Sequence, residues 1–383
     1  MRILQIIAGV AREWGGPSKG IHEMSRAHVA RGHTVEVVAT DAAPGGARVD
    51  VPCGVSRITD GGYHIRYHRC DLLRPPYLSL GHTADIWRRA RDFDIAHVHG
   101  LFNTPVTAAQ AVLRARRVPY ITEPHGMLDP YSLEQRGRAK AAYLRWLERP
   151  NLEAAARIHV STPFEADGVR ALGLRTPIAI IAQGVDSPTR VPEVSPHPRP
   201  YLLFLSRVAK KKGLPLLIDA FATLAASHTD IDLMVVGPDE LGHQAEVAAR
   251  VASRGLAGRV FFPGMARGEE KAAWFAHAEA LVLPSDDESF GVVVVEAVQL
   301  GTPAVVSDQV GLWDVVAETG AGEVVTRDAT ALAAALARVL ARGRAAYAPA
   351  CAEMAARYHW DEAAARIESL YHDVLAETSQ RHR

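Results

Sequence analysis

The stretch Leu281–Pro303, LVLPSDDESFGVVVVEAVQLGTP, contains one complete strand–loop–helix unit. A short apolar run leads into an acidic loop, and Gly291 then precedes a second apolar run that stops at Gly301. The valines 292–295 favour a strand by propensity, but the continuation through Glu296 to a glycine is typical of a helix with its stop signal. The stretch therefore predicts a buried strand that leads through a polar loop into a helix.

The same alternation of short β-branched runs and amphipathic stretches extends over the whole chain and is typical of parallel α/β sheets. In the first half, strands are predicted at Arg2–Ile7, Thr34–Ala39, Ile95–Val98, Pro119–Thr122 and Ile158–Val160. In the second half, strands are predicted at Tyr201–Leu205, Leu233–Val236, Val260–Phe262, Ala280–Leu283 and Ala304–Ser307. Helices are predicted at Ser18–Ala30, Thr104–Ala115, Tyr131–Ala155, Pro215–Ala226, Glu246–Ala252 and Glu269–His277. The predicted fold class is therefore α/β, with two doubly wound parallel sheets.

A proline-rich segment separates the two halves. Ser187–Pro200 contains five prolines, and because proline fixes φ and lacks a backbone donor, this segment is predicted to be a stiff linker. The sequence thus predicts an N-terminal domain at 1–190, a linker at 191–200 and a C-terminal domain at 201–359. Apolar residues along 360–378 lie on one face of a predicted helix, which we expect to pack back on the N-terminal domain.

The composition excludes several classes of protein. The 383 residues are 48% hydrophobic and contain 43 basic and 43 acidic residues, an ordinary globular balance without the positive field of a nonspecific nucleic-acid binder. Three scattered cysteines fit neither a disulfide framework nor a four-cysteine zinc site, and they are typical of a reducing cytoplasm. No stretch has the pattern of a signal peptide or of a membrane span, so we expect a cytoplasmic protein.

Charged side chains follow two of the predicted strands in the second half. Arg207 and Lys212 lie just after one strand and before a helix, where a guanidinium fork and a reaching ammonium suit a diphosphate anion. Glu288 and Glu296 flank the next loop–helix junction, whose backbone N–H groups also favour an anion. These two carboxylates either flank one ligand that carries phosphate and hydroxyl groups, or belong to an acidic surface loop and an unrelated helix.

The two segments, SRVAKKKG at 206–213 and ESFGVVVVEA at 288–297, resemble the signature of retaining glycosyltransferases of family 4, of the exopolysaccharide or O-antigen type. Further matching motifs are Gly15-Gly16, HVHG at 97–100, PHGM at 124–127, QGVD at 183–186 and, for the polysaccharide type, PHGMLDPYSLEQ at 124–135. The resemblance covers the whole chain and implies the GT-B fold, in which two Rossmann-like domains face each other across a cleft. One departure is Gln183, where the family usually has asparagine.

The resemblance also implies which residues act. The implied catalytic residues are His125, Arg207, Lys212 and Glu288. The implied nucleotide-sugar-binding residues are Gly15, Gly16, Met265, Ser289, Phe290, Gly291, Val292 and Glu296. Within this set, Met265 belongs to a turn under the base, and the backbone at 291–292 approaches the phosphates. His99 is implied to line the acceptor side.

Each implied catalytic role has a chemical reason. Arg207 and Lys212 hold the nucleotide diphosphate, whose charge grows as its bond to the sugar breaks. The resemblance implies that Glu288 binds hydroxyls of the transferred sugar and that Glu296 binds those of the ribose. His125 lies near the sugar and the leaving phosphate.

The implied reaction is transfer of a hexosyl unit, with retention, from a nucleotide-diphosphate sugar to a saccharide or lipid-linked saccharide in bacterial surface polysaccharide synthesis. Because no residue is an obvious covalent nucleophile, we expect the leaving phosphate to assist the incoming hydroxyl on the same face of the sugar. No cofactor, metal or nucleic-acid partner is expected. A sugar-nucleotide epimerase on the same fold and a non-catalytic nucleotide-sugar-binding protein are the alternatives.

Two further segments leave alternatives open. His97 and His99 alternate on a strand end, as metal ligands do, but the sequence offers no third ligand at metal spacing, so no metal is expected. The stretch EQRGRAKAAYLRWLER at 134–149 interleaves five basic residues with aromatic and aliphatic ones. It is either a partly buried helix with solvated arginines or a helix that rests on an anionic membrane surface. The second interpretation predicts a peripheral protein at the inner face of the cell membrane.

Overall fold

The computed structural model describes residues 1–11, 16–75, 77–135 and 137–381. The chain forms two compact units, one made of 1–184 together with 360–383 and the other of 185–359. The division falls between Gly184 and Val185 because these neighbours pack in different units. A Cβ on Gly184 would lie 2.5 Å from the indole of Trp360 in the first unit, whereas the Val185 N–H donates to the Tyr358 carbonyl, 2.9 Å away, in the second.

The first unit is built on an eight-stranded sheet. Its strands are β1 Arg2–Gly9, β2 Thr34–Thr40, β3 Ser56–Ile58, β4 His64–His68, β5 Ile95–His99, β6 Tyr120–Glu123, β7 Arg157–Val160 and β8 Ile178–Ile180. Their order across the sheet is β3-β4-β2-β1-β5-β6-β7-β8. The β3–β4 pair is antiparallel and the other neighbouring strands are parallel. The sheet order reverses between β1 and β5. Because β5, β6 and β7 are parallel, their carboxyl ends lie at the same edge of the sheet.

Helices cover both faces of this sheet. They are α1 Gly16–Ala30, α2 Leu80–Arg89, α3 Thr104–Arg116, α4 Pro130–Glu134, α5 Gly137–Tyr143, α6 Arg149–Ala154, α7 Pro163–Ala171 and, from the end of the chain, α15 Trp360–Arg381. Short 3₁₀ turns lie at Pro44–Gly46 and Ala90–Asp92, and a π turn lies at Leu144–Glu148. The apolar face of α15 packs into the same hydrophobic core as α1 and the middle of the sheet.

The predicted single helix at 131–155 is wrong, because the segment is broken into α4, α5, the π turn and α6. At the π turn, the Arg149 N–H donates to the Leu144 carbonyl, five residues back. The next residue is Pro150, which has no N–H to continue an α-helical ladder. The backbone hydrogen-bonding pattern of the helix therefore changes next to Pro150, which lacks an N–H donor.

The second unit is built on a six-stranded parallel sheet. Its strands are β9 Tyr201–Leu205, β10 Asp232–Val236, β11 Val260–Gly264, β12 Ala280–Leu283, β13 Ala304–Ser307 and β14 Gly322–Val325. Their order is β11-β10-β9-β12-β13-β14. Every residue of β9 is buried, as expected for a strand covered on both faces. The order reverses between β9 and β12, and in doubly wound sheets ligands bind at the carboxyl ends of the strands beside such a reversal.

Helices again cover both faces. They are α8 Leu214–Ala225, α9 His243–Ser253, α10 Gly268–Ala276, α11 Val292–Gln299, α12 Trp313–Thr319, α13 Ala329–Arg342 and α14 Ala348–Ala355, with 3₁₀ turns at Lys210–Lys212 and Arg344–Tyr347. The run of valines at 292–295 is helical, as the glycine stop signal predicted. The α/β fold class with two doubly wound parallel sheets is confirmed.

Candidate functional site

Two loops meet at the carboxyl edge of the second sheet, one after β9 and one after β12. The Asp286 N–H donates to the Lys211 carbonyl, 2.7 Å away, and so joins the loops through their backbones. Gly213, between the 3₁₀ turn and α8, has φ +69°, and a Cβ there would lie 1.9 Å from the Pro284 carbonyl oxygen. Only glycine therefore lets the first loop approach the second this closely.

Lys212 and Glu288 meet across these loops. The Lys212 Nζ donates to Glu288 Oε2, and the lysine is 4% exposed. The backbone of Glu288 is fixed by the loop after β13, because its N–H donates to Gln309 at 3.0 Å and its carbonyl accepts from Gly311 at 2.7 Å. Lys212, after β9, and Glu288, after β12, are thus in direct contact at the strand reversal.

The predicted binding residues 289–292 lie in the turn that leads into α11. Gly291 has φ +94°, and a Cβ there would lie 3.0 Å from Val310 Cγ1. Phe290 is buried and packs edge-on against Tyr358, with ring centroids 5.7 Å apart. Ser289 and Val292 are partly exposed on either side of it. The turn is therefore anchored by an aromatic side chain, and its backbone begins the helix.

Two other predicted residues are engaged in ion pairs with partners that the sequence analysis missed. Arg207 Nη1 donates to Glu240 Oε1 at 2.7 Å, and both side chains are largely exposed. Both carboxylate oxygens of Glu296 accept from Lys271 Nζ at 2.7 Å. Among Arg207, Lys212, Glu288 and Glu296, the structure shows a direct contact only between Lys212 and Glu288. Sequence spacing could not show that Glu240 and Lys271 lie within reach.

The remaining predicted binding residues lie at other strand ends. Met265 directly follows β11 and is 53% exposed, so a large apolar side chain stands at the carboxyl edge of the second sheet. In the first unit, Gly16 is the first residue of α1, and a Cβ there would meet nothing within 4 Å. Gly15 lies outside the described residues.

His99 and His125 belong to a buried group in the first unit, which we call the histidine cluster: His97, His99, Glu123, His125 and His159. Strand register explains it, since His99 is aligned with Glu123 across β5 and β6. His97 lies two residues before His99, so both rings are on one face, stacked with centroids 4.6 Å apart. His159, on β7, completes the row on the other side of Glu123.

Four imidazole nitrogens surround the Glu123 carboxylate. On Oε2, the distances are 3.1 Å to His99 Nδ1, 3.4 Å to His159 Nδ1 and 3.7 Å to His97 Nε2. On Oε1, His125 Nδ1 lies at 3.4 Å. Burial would raise the pKa of Glu123, but the surrounding imidazoles, His125 and His159 first among them, outweigh it and hold that pKa well below its usual range. The carboxylate is therefore ionised and is the acceptor at the centre of the cluster.

His125 is held in an unusual backbone conformation. Its φ is +53°, a left-handed value that non-glycine residues adopt only where the surroundings enforce it. The next residue supplies part of that constraint, because the Gly126 N–H donates to Glu165 Oε1 at 2.6 Å. Burial lowers the pKa of His125 to about 4 despite the nearby Glu123 carboxylate, so its ring is neutral near pH 7.

The sequence offers no third metal ligand at metal spacing beside His97 and His99, but the fold brings a candidate next to them. Glu123 supplies one, and ligand atoms of these three buried residues all lie within 4.8 Å of one another. The sequence analysis missed Glu123 because it lies on the neighbouring strand, 24 positions from His99 along the chain. His159 was missed for the same reason.

Comparison with known proteins identifies the family. Residues 15–184 match the family described as Glycosyl transferase 4-like domain, and residues 187–357 match Glycosyl transferases group 1. The phosphatidyl-myo-inositol mannosyltransferase of Mycobacterium leprae is 30% identical over 316 residues, which cover 77% of each chain. The chain belongs to the family 4 glycosyltransferases.

Two more similarities cover almost the whole of this glycosyltransferase. The GDP-mannose:cellobiosyl-diphosphopolyprenol alpha-mannosyltransferase of Xanthomonas campestris is 25% identical over 98% of this chain and 97% of its own. Among solved structures, sucrose-phosphate synthase from Thermosynechococcus elongatus matches with a TM-score of 0.77 and 22% identity, over 98% of this chain and all of that one. The predicted GT-B fold and the predicted transferase class are confirmed.

Proposed function

We propose that this glycosyltransferase moves a hexosyl unit, with retention, from a nucleotide-diphosphate sugar to a saccharide acceptor of a bacterial surface polysaccharide. The observation that carries the proposal is the contact between the Lys212 ammonium and the Glu288 carboxylate at the ends of β9 and β12. A cation suited to a diphosphate and an acceptor suited to sugar hydroxyls are neighbours there. That edge is also where doubly wound sheets bind nucleotides.

Arg207 is proposed as the second diphosphate ligand. Its present partner, Glu240, forms an exposed pair with it, and such pairs contribute about 0–1 kcal/mol. A diphosphate carries more charge than one carboxylate, and it can accept two parallel hydrogen bonds from the guanidinium fork. It can therefore replace Glu240 as the partner of Arg207 at a low cost in free energy. Lys212 supplies a point charge from the loop beside it.

Glu296 and Met265 are proposed to bind the nucleoside. Lys271 fixes the orientation of the Glu296 carboxylate, and since a carboxylate has about four lone-pair sites, two remain for ribose hydroxyls. The exposed thioether of Met265 offers an apolar and polarisable surface to a base. Both residues lie in the same unit as Lys212 and Glu288.

The proposed chemical step forms no covalent bond between the sugar and the enzyme. The bond between the anomeric carbon and the phosphate oxygen breaks, and its electron pair remains on the diphosphate. The acceptor oxygen bonds to the same face of that carbon, and its proton passes to a phosphate oxygen. Arg207 and Lys212 stabilise the charge that develops on the diphosphate, so the transfer step is proposed to need no metal. His125 is proposed to lie near the transferred sugar and the leaving phosphate.

The test is a thermal-shift panel of UDP-, GDP-, ADP- and dTDP-sugars, followed by NMR of the product. The true donor at 100 times its Kd stabilises the protein by about 2.7 kcal/mol, and the product keeps the anomeric configuration of the donor. Stabilisation by none of the four contradicts the proposal. Conversion of the donor to its epimer without acceptor supports the epimerase alternative, and tight binding without turnover supports the non-catalytic one.

The acceptor is proposed to be lipid-linked, so that the protein works at the inner face of the cell membrane. Trp146 is 70% exposed and Leu147 48% exposed on the π turn, and the Arg145 guanidinium lies 5.1 Å from the Trp146 ring centroid. Exposed indole and basic side chains together suit an anionic lipid surface. The Xanthomonas relative carries a diphosphopolyprenol acceptor in its name. Among the described residues, no helix has the length and apolarity to cross a bilayer.

Co-sedimentation with vesicles tests this membrane contact. We expect the protein to sediment with vesicles that contain anionic lipid at low salt, and Trp146→Ser to weaken that binding severalfold. Trp87→Ser is the matched control, because Trp87 is also about half exposed but lies on α2. No sedimentation, or equal losses in the two variants, contradicts the membrane contact and leaves the transfer reaction as proposed.

A further inference from the structure

We propose that the histidine cluster binds a structural zinc ion, with His97 Nε2, His99 Nδ1, His159 Nδ1 and Glu123 Oε2 as its four ligands. These atoms come from three adjacent strands of the first unit, β5, β6 and β7. The side chains are 1–8% exposed. The proposal concerns the first unit alone and does not depend on the donor or the acceptor.

The distances from Glu123 Oε2 to the three imidazole nitrogens are close to the ligand separations of a zinc site. Zinc in proteins is tetrahedral, with bonds of about 2.0–2.2 Å to imidazole nitrogen and carboxylate oxygen, so its ligand atoms are roughly 3.3 Å apart. The three nitrogens lie 3.1, 3.4 and 3.7 Å from Glu123 Oε2. His159 Nδ1 also lies 3.4 Å from His97 Nε2. His97, His99 and Glu123 have ligand atoms within 4.8 Å of one another, and His159 would have to rotate toward them to become the fourth ligand.

The outer nitrogens of the same rings are held as they are in metal sites. His159 Nε2 donates to the Ile181 carbonyl at 2.8 Å, and His99 Nε2 donates to Gln5 Oε1 at 2.6 Å. His97 Nδ1 lies 2.9 Å from the Tyr371 hydroxyl. Imidazole ligands of metals nearly always donate their second N–H to such an oxygen, which fixes the ring and the tautomer.

This proton arrangement creates a demand for a cation. A carbonyl or amide oxygen can only accept, so the outer nitrogens of His99 and His159 carry the protons. The inner nitrogens, His99 Nδ1 and His159 Nδ1, then face the Glu123 carboxylate at 3.1 and 3.4 Å. A single divalent cation between them would accept lone pairs from both nitrogens and from the carboxylate.

The ligand set indicates a structural role. Four protein ligands close a tetrahedral site and leave no position for a reactive water. The ion would join the carboxyl ends of β5, β6 and β7 next to the strained residue His125. Tyr371, which is on α15, ties the end of the chain to the same site.

Metal analysis of the full chain, purified without a polyhistidine tag, tests the proposal. We expect about one zinc ion per chain, a lower melting temperature after chelation, and recovery on addition of zinc but not of magnesium. Cobalt substitution is expected to give the intense visible absorption of a tetrahedral site. The proposal would be overturned if the protein contains no stoichiometric metal and zinc does not change its melting temperature. Hydrogen bonds alone would then hold the cluster together.

Variants separate binding from folding. Glu123→Gln is expected to abolish stoichiometric zinc, and Gln5→Ala, which removes only an outer acceptor, to weaken zinc affinity about 10–100-fold. His82→Asn is the control, since His82 is a fully buried histidine of the same unit outside the cluster. If Glu123→Gln does not fold, Gln5→Ala and the cobalt spectrum of the unaltered protein still decide. Equal zinc content in Glu123→Gln and His82→Asn would contradict the ligand assignment.

Discussion

The Lys212 ammonium donates to the Glu288 carboxylate across two loops that follow adjacent strands of the second sheet, and the lysine is almost fully buried. A buried ammonium is stable only with such a partner. The contact therefore fixes both side chains at the strand reversal. A bound diphosphate sugar would meet a cation that is already desolvated and held in place, which is the condition for strong electrostatic stabilisation.

Replacement of Lys212 by alanine should lower turnover on the order of 10²–10³-fold, or about 3–4 kcal/mol, if the ammonium acts mainly on the departing diphosphate. The measurement is kcat with saturating donor. Lys210→Ala is the control, because Lys210 lies in the same 3₁₀ turn but is exposed. Near-native turnover in Lys212→Ala would show that this ammonium does not act on the leaving group.

Release of Arg207 from Glu240 should improve donor binding. Glu240→Gln removes the carboxylate that competes with the diphosphate for the guanidinium, so we expect KM for the donor to fall about two- to fivefold. Glu246→Gln is the control, since Glu246 pairs with His243 on α9 instead. An unchanged or higher KM in Glu240→Gln would place Arg207 outside the donor site.

Gly213 should be irreplaceable for steric reasons. Gly213→Ala places a Cβ 1.9 Å from the Pro284 carbonyl at a φ of +69°, and we expect it to cost about 3 kcal/mol of unfolding free energy. Gly242→Ala has a similar φ of +80° but meets nothing within 4 Å, so it should cost only about 1 kcal/mol. Urea unfolding measures both variants, and equal costs would argue against close contact between the two loops.

Glu148 should make stability fall as pH rises. Its carboxyl accepts from the Phe102 N–H and the Thr107 hydroxyl, and burial raises its pKa from 4.5 to about 7. Between these values the unfolded chain loses the proton while the folded protein keeps it, so stability declines through this range and the decline is complete above pH 7. Glu148→Gln should therefore be more stabilising at pH 8 than at pH 4.5, by up to about 3 kcal/mol.

Unfolding free energies at the two pH values check this prediction. Glu153→Gln is the control, because Glu153 is exposed and pairs with Arg149 on the surface. A Glu148→Gln effect that is the same at both pH values would mean that folding does not raise the pKa of this carboxyl.

The parts of the fold that could be predicted are those with a local signal in the sequence. The strands β9, β12 and β13 occur at their predicted residues, because uninterrupted apolar runs between turn signals are typical of parallel strands buried on both faces. The short strands β3 and β8 were not predicted, since three residues carry too little periodicity. The break at the π turn before Pro150 was not predicted either, because the helical apolar pattern continues through it.

Part of the candidate site could likewise be predicted from the sequence, and part of it could not. The resemblance to the glycosyltransferase family assigned Lys212 and Glu288 to one site, and the structure brings their side chains into contact. The partners of Arg207 and Glu296 could not be predicted, since they depend on where the loop after β10 places Glu240 and where helix α10 places Lys271. Glu123 and His159 join the histidine cluster through strand register, which a single sequence does not fix.

Calorimetric binding of a nucleoside diphosphate and of its sugar ester to three proteins tests the donor site most directly. The unaltered chain should bind the sugar ester more tightly than the diphosphate. Lys212→Ala should weaken both ligands at least about tenfold, whereas Glu288→Gln should weaken only the sugar ester, by about 1.4 kcal/mol or more. If both variants bind both ligands as the unaltered chain does, the Lys212–Glu288 contact is not the donor site.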